Sequence, residues 1–114
     1  MPGTGNIFSG VMPNRSMEVF TTLLSERGIR IERIVSAGHA TRPGVWLDQP
    51  QGEWVLLLEG SAALEIEGES GLRQLAPGDY VWLAPHCRHR VAWTDAGKTT
   101  VWLAVHVGST ARTA

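Results

Sequence analysis

The sequence is short of the residues that most often announce chemistry. Its one cysteine, Cys87, leaves no internal disulfide to form, which fits a reducing compartment. Lys98 is its single lysine; the other nine of its ten basic residues are arginines, scattered along the chain. Against 11 acidic residues the formal charge is −1, so no broad field recruits nucleic acid or an anionic membrane surface. No apolar run approaches the roughly 18–20 residues of a membrane span. The opening MPGTGNIFSG lacks the basic-then-apolar layout of a secretion signal, and a cytoplasmic location is the expectation. There is no P-loop, no glycine-rich dinucleotide fingerprint, no cysteine pair at zinc spacing and no nucleophile-elbow serine.

What is present is an ordinary globular composition. The chain has 114 residues, 43% hydrophobic and 18% charged, which suits one domain with a real core. Residues 1–13 hold three glycines and two prolines and read as an N-terminal arm, with Asn6-Ile7-Phe8 as the part that docks. The domain itself is expected over 14–108, followed by a short polar tail at 109–114. Met17, Phe20, Leu23 and Leu24 fall at helical spacing between a candidate cap, Ser16, and Gly28, so the pattern predicts an amphipathic helix over 16–27.

After Gly28 the pattern turns to strands. Ile29–Ser36, Ser61–Glu67, Arg88–Trp93 and Thr100–Val107 alternate and are rich in β-branched or aromatic residues. Gly44–Asp48, Glu53–Glu59, Gly71–Leu75 and Tyr80–Leu83 lie between them, separated by turn signals such as Arg42-Pro43-Gly44 and Pro77-Gly78-Asp79. About eight short strands at such spacing predict an all-β antiparallel sandwich or barrel.

The candidate chemistry sits at strand ends. A hairpin over Gln49-Pro50-Gln51-Gly52 would set Asp48 opposite Glu53, with Cβ atoms roughly 4.5–5.5 Å apart. Two carboxylates there repel unless a cation bridges them, an arginine neutralises them or one holds a proton; alternatively both splay into water. Alternation places His89 with Val91 and Trp93 on an inward face, as a core residue or a ligand, and turns Arg88 and Arg90 outward. His86 is expected exposed, and His39 follows Gly38 in a loop. His106 alternates with Trp102 and Ala104, opposite Val101, Leu103, Val105 and Val107; the aliphatic face reads as core, which puts His106 at the surface or an interface. Trp46 shares the inferred inward face with Asp48, and Trp93 with His89, so both tryptophans are candidate pocket walls.

Two spacings resemble those of the cupins, a superfamily of small β-barrels. Glu53 and Gly60, with six residues between them, match the end of the first cupin motif, G-x5-H-x-H-x(3,4)-E-x6-G. Pro77-Gly78-Asp79 opens the second, G-x5-P-x-G-x2-H-x3-N, and His89 stands eleven residues after Gly78, at the motif histidine. The chain is similar to small single-domain bacterial cupins of cupin-2 type, over roughly residues 29–107. The resemblance implies a jelly-roll barrel, and often a homodimer with a divalent metal in the barrel.

The metal motif is degenerate. With a four-residue gap before Glu53 its two histidines fall at Trp46 and Asp48; with a three-residue gap they fall at Leu47 and Gln49. Neither register supplies histidine. The second motif is also altered, with Ala84 for Pro, His86 for Gly and Trp93 for Asn.

Two functions follow as expectations. In the first, the cupin binds a small organic ligand in an apolar cavity, metal-free or weakly metal-binding, with Glu53 (or Asp48) and His89 as acid and base and with Trp46, Asp48, Trp93 and His39 lining the pocket. In the second, Asp48, Glu53 and His89 hold one divalent metal (Mn, Fe or Zn) for an oxygenase, isomerase or lyase reaction. Both carry a small-molecule ligand and a homodimer as expected partners, and neither a nucleic acid nor a membrane.

Overall fold

The computed structural model describes residues 2–108; the predicted tail at 109–114 lies outside the described residues. Eight strands follow one another: β1 (Val19–Glu26), β2 (Ile29–Ser36), β3 (Gly52–Glu59), β4 (Ala62–Ile66), β5 (Leu72–Leu75), β6 (Tyr80–Leu83), β7 (His89–Thr94) and β8 (Thr100–Val107). They form two antiparallel sheets, ordered β1-β2-β8-β3-β6 and β5-β4-β7. Packed face to face, they make the antiparallel barrel that the strand spacing predicts, in the jelly-roll form that the resemblance implies. Among the described residues no helix is long and apolar enough to cross a membrane.

The predicted helix over 16–27 is a strand. β1 pairs with β2 from Val19↔Val35 to Glu26↔Ile29. Arg27 and Gly28, with φ of 49° and 80°, make the two-residue turn that joins them. Positive φ at both centres is the hairpin geometry whose twist matches the strands, so Gly28 serves a hairpin and not a helix exit. The pairing slips between Thr22 and Leu24, leaving Leu23 as a bulge. That extra residue breaks the two-residue alternation and produces the helix-like spacing of Phe20, Leu23 and Leu24. Val19, Thr21 and Thr22 meanwhile favour extended backbone.

The predicted strand at 44–48 is reduced to one bridge, Leu47 with His89. Pro43 and Gly44 take the chain through a turn closed by the Val45 N–H on the Arg42 carbonyl at 3.1 Å, with Gly44 at φ 80°. The segment then runs extended beside β7, so Leu47 and Gln49 face one way and Asp48 the other.

The inner faces meet in an apolar core that includes Val55, Leu57, Leu64, Leu75, Val81, Leu83 and Trp102. Leu57 is fully buried, and its side chain alone contributes about 2 kcal/mol of burial. Gly60, the glycine of the first motif, ends β3 at φ 90° where a Cβ would lie 2.4 Å from Thr100 Oγ1. Positive φ and a crowded neighbour together require glycine there. The N-terminal arm lies over the outer face of the larger sheet, where an Arg33 Nη1–H group donates to the carbonyls of Ile7 at 3.1 Å and Ser9 at 2.7 Å.

Candidate functional site

Between the sheets lies a cavity of about 410 Å³. β3 brings Glu53 into it, β7 brings His89, β8 brings Trp102 and His106, and β2 brings Arg30, Glu32 and Ile34. Leu47 and Gln49 line it from the extended segment before β3, and Glu18 and Phe20 from the start of β1.

The polar groups form an alternating chain of carboxylates and imidazoles. His106 Nε2–H donates to Glu32 Oε1 at 2.9 Å, and the same nitrogen stands 4.0 Å from Glu53 Oε2. The other Glu53 oxygen, Oε1, is 4.0 Å from His89 Nε2 and accepts a hydrogen bond from the Gln49 amide at 2.9 Å. Glu53 is 8% exposed, and His89 and His106 are each 4% exposed.

Backbone contacts set the His89 tautomer. The Cys87 carbonyl can only accept, so the His89 Nδ1–H donates to it at 2.8 Å. A neutral ring then presents its Nε2 lone pair to Glu53 and the cavity. In His106 the proton lies on the nitrogen facing Glu32, and Nδ1 is buried without a partner among the described residues. Arg30 Nε lies 3.6 Å from Glu32 Oε2 and partly offsets the charge of that carboxylate.

The predicted Asp48–Glu53 opposition does not form. Glu53 pairs across the sheet with Leu83 and His106. Asp48 is turned away and accepts a hydrogen bond from His86 Nδ1 at 2.9 Å, with both side chains exposed. The proposed set of Asp48, Glu53 and His89 therefore brings together Glu53 and His89 and leaves out Asp48.

The other predicted pocket residues also lie elsewhere. His39 accepts the Ala37 N–H at Nδ1 (2.9 Å) and donates from Nε2 to the Arg15 carbonyl (3.1 Å), so both ring nitrogens pin a loop. Trp46 lies under the Arg88 guanidinium, 5.6 Å from its ring centre. Trp93 points outward because β7 slips against β4 between Ala63↔Trp93 and Leu64↔Val91, which makes Ala92 a bulge. Beyond it the alternation that starts at His89 is reversed.

His106 is the largest departure. Far from the surface, it lies inside with Trp102 and Ala104, while Val105 and Val107 look outward. Both faces of β8 are apolar, so hydrophobicity alone selects the wrong one. Glu32, one of the cavity's two acids missed by the sequence reading, sits on the inward face of β2 because Ile34 and Ser36 share its parity.

The geometry also identifies the motif register. Leu47 and Gln49, not Trp46 and Asp48, hold the places of the two motif histidines. A leucine supplies no donor atom, and the Gln49 amide is spent on Glu53. No three His, Cys, Asp or Glu side chains among the described residues are grouped as a metal ion would need. Glu53 and His89 remain at motif positions, but the donor set does not fit a resident metal.

No family model matches the sequence, and no curated protein does. Among solved structures, the chain is similar to a candidate mannose-6-phosphate isomerase from Ralstonia eutropha JMP134. The two are 50% identical with a TM-score of 0.90, over 95% of this chain and 100% of that one. A cupin superfamily protein from Desulfitobacterium hafniense DCB-2 shares the fold at 14% identity and a TM-score of 0.71, over 87% of this chain and 84% of that one. So does the Cupin_2 domain of an XRE-family transcriptional regulator from Enterobacter cloacae, at 17% identity and 0.66, over 81% of this chain and 97% of that one. With the motif residues Glu53, Gly60 and His89 in place on this barrel, the chain has the fold of the cupin superfamily.

Proposed function

We propose that this cupin binds a small organic ligand in the cavity between its sheets, metal-free or with weak metal binding, and can move a proton on it. The observation that carries this reading is the position of Glu53, one oxygen 4.0 Å from His89 and the other 4.0 Å from His106. A buried carboxylate flanked by two imidazoles offers both a proton acceptor and a proton donor within one ligand's width. The name of the Ralstonia relative supports the direction, since an isomerase moves protons between neighbouring atoms. A divalent metal is disfavoured by Leu47 and Gln49, as described above.

Ligand-detected NMR on EDTA-treated protein, run against a set of small organic fragments, tests the reading. Fragments should bind, and a cavity-filling Val91→Phe variant should lose them. Finding no fragment that meets both conditions, or binding that requires added Mn, Fe or Zn, overturns it.

We further propose that the chain works as a homodimer, paired through the outer face of its five-stranded sheet. That face carries Trp54, Tyr80, Trp82 and Val107, the last three exposed. The N-terminal arm covers the β2 side of this face, so the exposed aromatic residues on the β6 side mark the part left for a partner.

A further inference from the structure

The cavity has an electrostatic character that bears on what it accepts. Three carboxylates line it, from Glu18, Glu32 and Glu53, against one permanent cation, Arg30. That arginine is already engaged by Glu32. A phosphate entering here would meet three carboxylates and a single guanidinium that already offsets one of them. The pocket of a phosphosugar enzyme needs the opposite balance.

The unused hydrogen-bonding capacity points the same way. His89, with its side chain 5% exposed, lines the cavity, and its Nε2 makes no hydrogen bond among the described residues. With its proton held on Nδ1, that nitrogen accepts. Glu53 Oε1 stands beside it as a second acceptor, 4.0 Å away. Neither of these two acceptors carries a proton to give the other. One N–H-bearing group can reach both, with legs of about 2.9 Å meeting at about 90°. The cavity's apolar walls are Val91 and Leu64 from the smaller sheet, with Trp102 and Phe20 further along the larger one. A cavity that holds carboxylates and aromatic side chains suits a cation with an organic body.

We propose that the ligand is a small organic ammonium ion, a protonated amine with an apolar body. Its nitrogen bonds His89 Nε2 and Glu53, and its body lies against Trp102. The proposal rests on the ligand-binding reading given above and narrows it to one charge class.

Four probes separate the possibilities, each titrated calorimetrically into EDTA-treated protein: 2-phenylethylammonium, 2-phenylethanol and phenylacetate, which match in size, and the larger mannose 6-phosphate. The ammonium should bind about tenfold or more tightly than the alcohol, the advantage of a charge-assisted hydrogen bond over a neutral one. Phenylacetate and mannose 6-phosphate should bind more weakly than the alcohol. Glu53→Gln, which keeps the side chain's shape, should shrink the preference for ammonium over alcohol to about threefold or less. Tighter binding of the alcohol, of phenylacetate or of mannose 6-phosphate overturns the ammonium assignment and leaves the ligand-binding reading standing. An ammonium preference that survives Glu53→Gln overturns the placement of its nitrogen. If no probe binds the wild-type protein, the ammonium assignment fails; the ligand-binding reading fails only if the broader fragment set is also silent.

Discussion

Restoring two histidines should turn this pocket into a metal site, and the register in which that succeeds tests the geometry. In the double variant Leu47→His/Gln49→His, the new imidazoles join Glu53 and His89, giving the three nitrogens and one carboxylate of the first and second motifs. Without metal the variant loses the Gln49–Glu53 hydrogen bond, worth about 1 kcal/mol. Its melting temperature should fall by about 4 °C. With Zn or Mn at about one hundred times the dissociation constant, binding adds about 2.7 kcal/mol. In a domain of this size that raises the melting temperature by about 10 °C. The wild type, with no donor at Leu47, should shift by no more than about 2 °C, as for a site at most half filled. Tryptophan-fluorescence melts with and without metal, with metal content measured after gel filtration, read both effects. The control is Trp46→His/Asp48→His, which places histidines in the alternative register, on the face turned away from the cavity. If the control responds and the first variant does not, the assignment of Leu47 and Gln49 to the motif positions is wrong. If neither responds while circular dichroism shows both folded, the cavity does not bring these positions toward Glu53 and His89.

Two further outcomes follow from the fold. Gly60→Ala combines a left-handed backbone with a Cβ placed 2.4 Å from Thr100 Oγ1 and 2.7 Å from Thr100 Cα, so it should cost about 3 kcal/mol and about 12 °C of melting temperature. Gly78→Ala, at φ 96° with open space around it, should cost clearly less; equal losses in the two melts would show that crowding by Thr100 is not the cause. Light scattering after gel filtration should return the mass of two chains, and Trp82→Glu on the outer sheet face should return the mass of one. A single-chain mass for the wild type over a wide concentration range would reject the dimer.

Much of the barrel was legible because turns and β-branched runs are local signals. Ile29–Ser36, Tyr80–Leu83 and Thr100–Val107 are strands with the predicted ends, since alternation and flanking turn residues mark them without help from distant parts of the chain. The segment at 16–27 misled because a bulge is also local but mimics another period. Leu23 adds one residue to the strand, and the apolar positions after it fall where a helix would put them. Arg27-Gly28 carried the correcting signal, a glycine-containing two-residue turn between equal stretches able to extend.

The site divides along the same line. Glu53 and His89 were readable because motif spacing along one chain fixes which residues can reach the barrel interior. Orientation was not readable, because it depends on what each strand packs against. The bulge at Ala92 turns Trp93 out of the cavity, and the turn at Pro43-Gly44 sets Asp48 on the far face from Gln49. On β8 both faces are apolar, since one packs in the core and the other looks out from the sheet, so only the second sheet closing over Trp102 and Ala104 decides that His106 points inward. The amino-acid sequence by itself determined the strands, their turns and two of the polar groups, because these follow from neighbouring residues. The tertiary structure alone decided that Glu32 and His106 join Glu53 and His89, because a strand has two faces and only its packing partners choose between them.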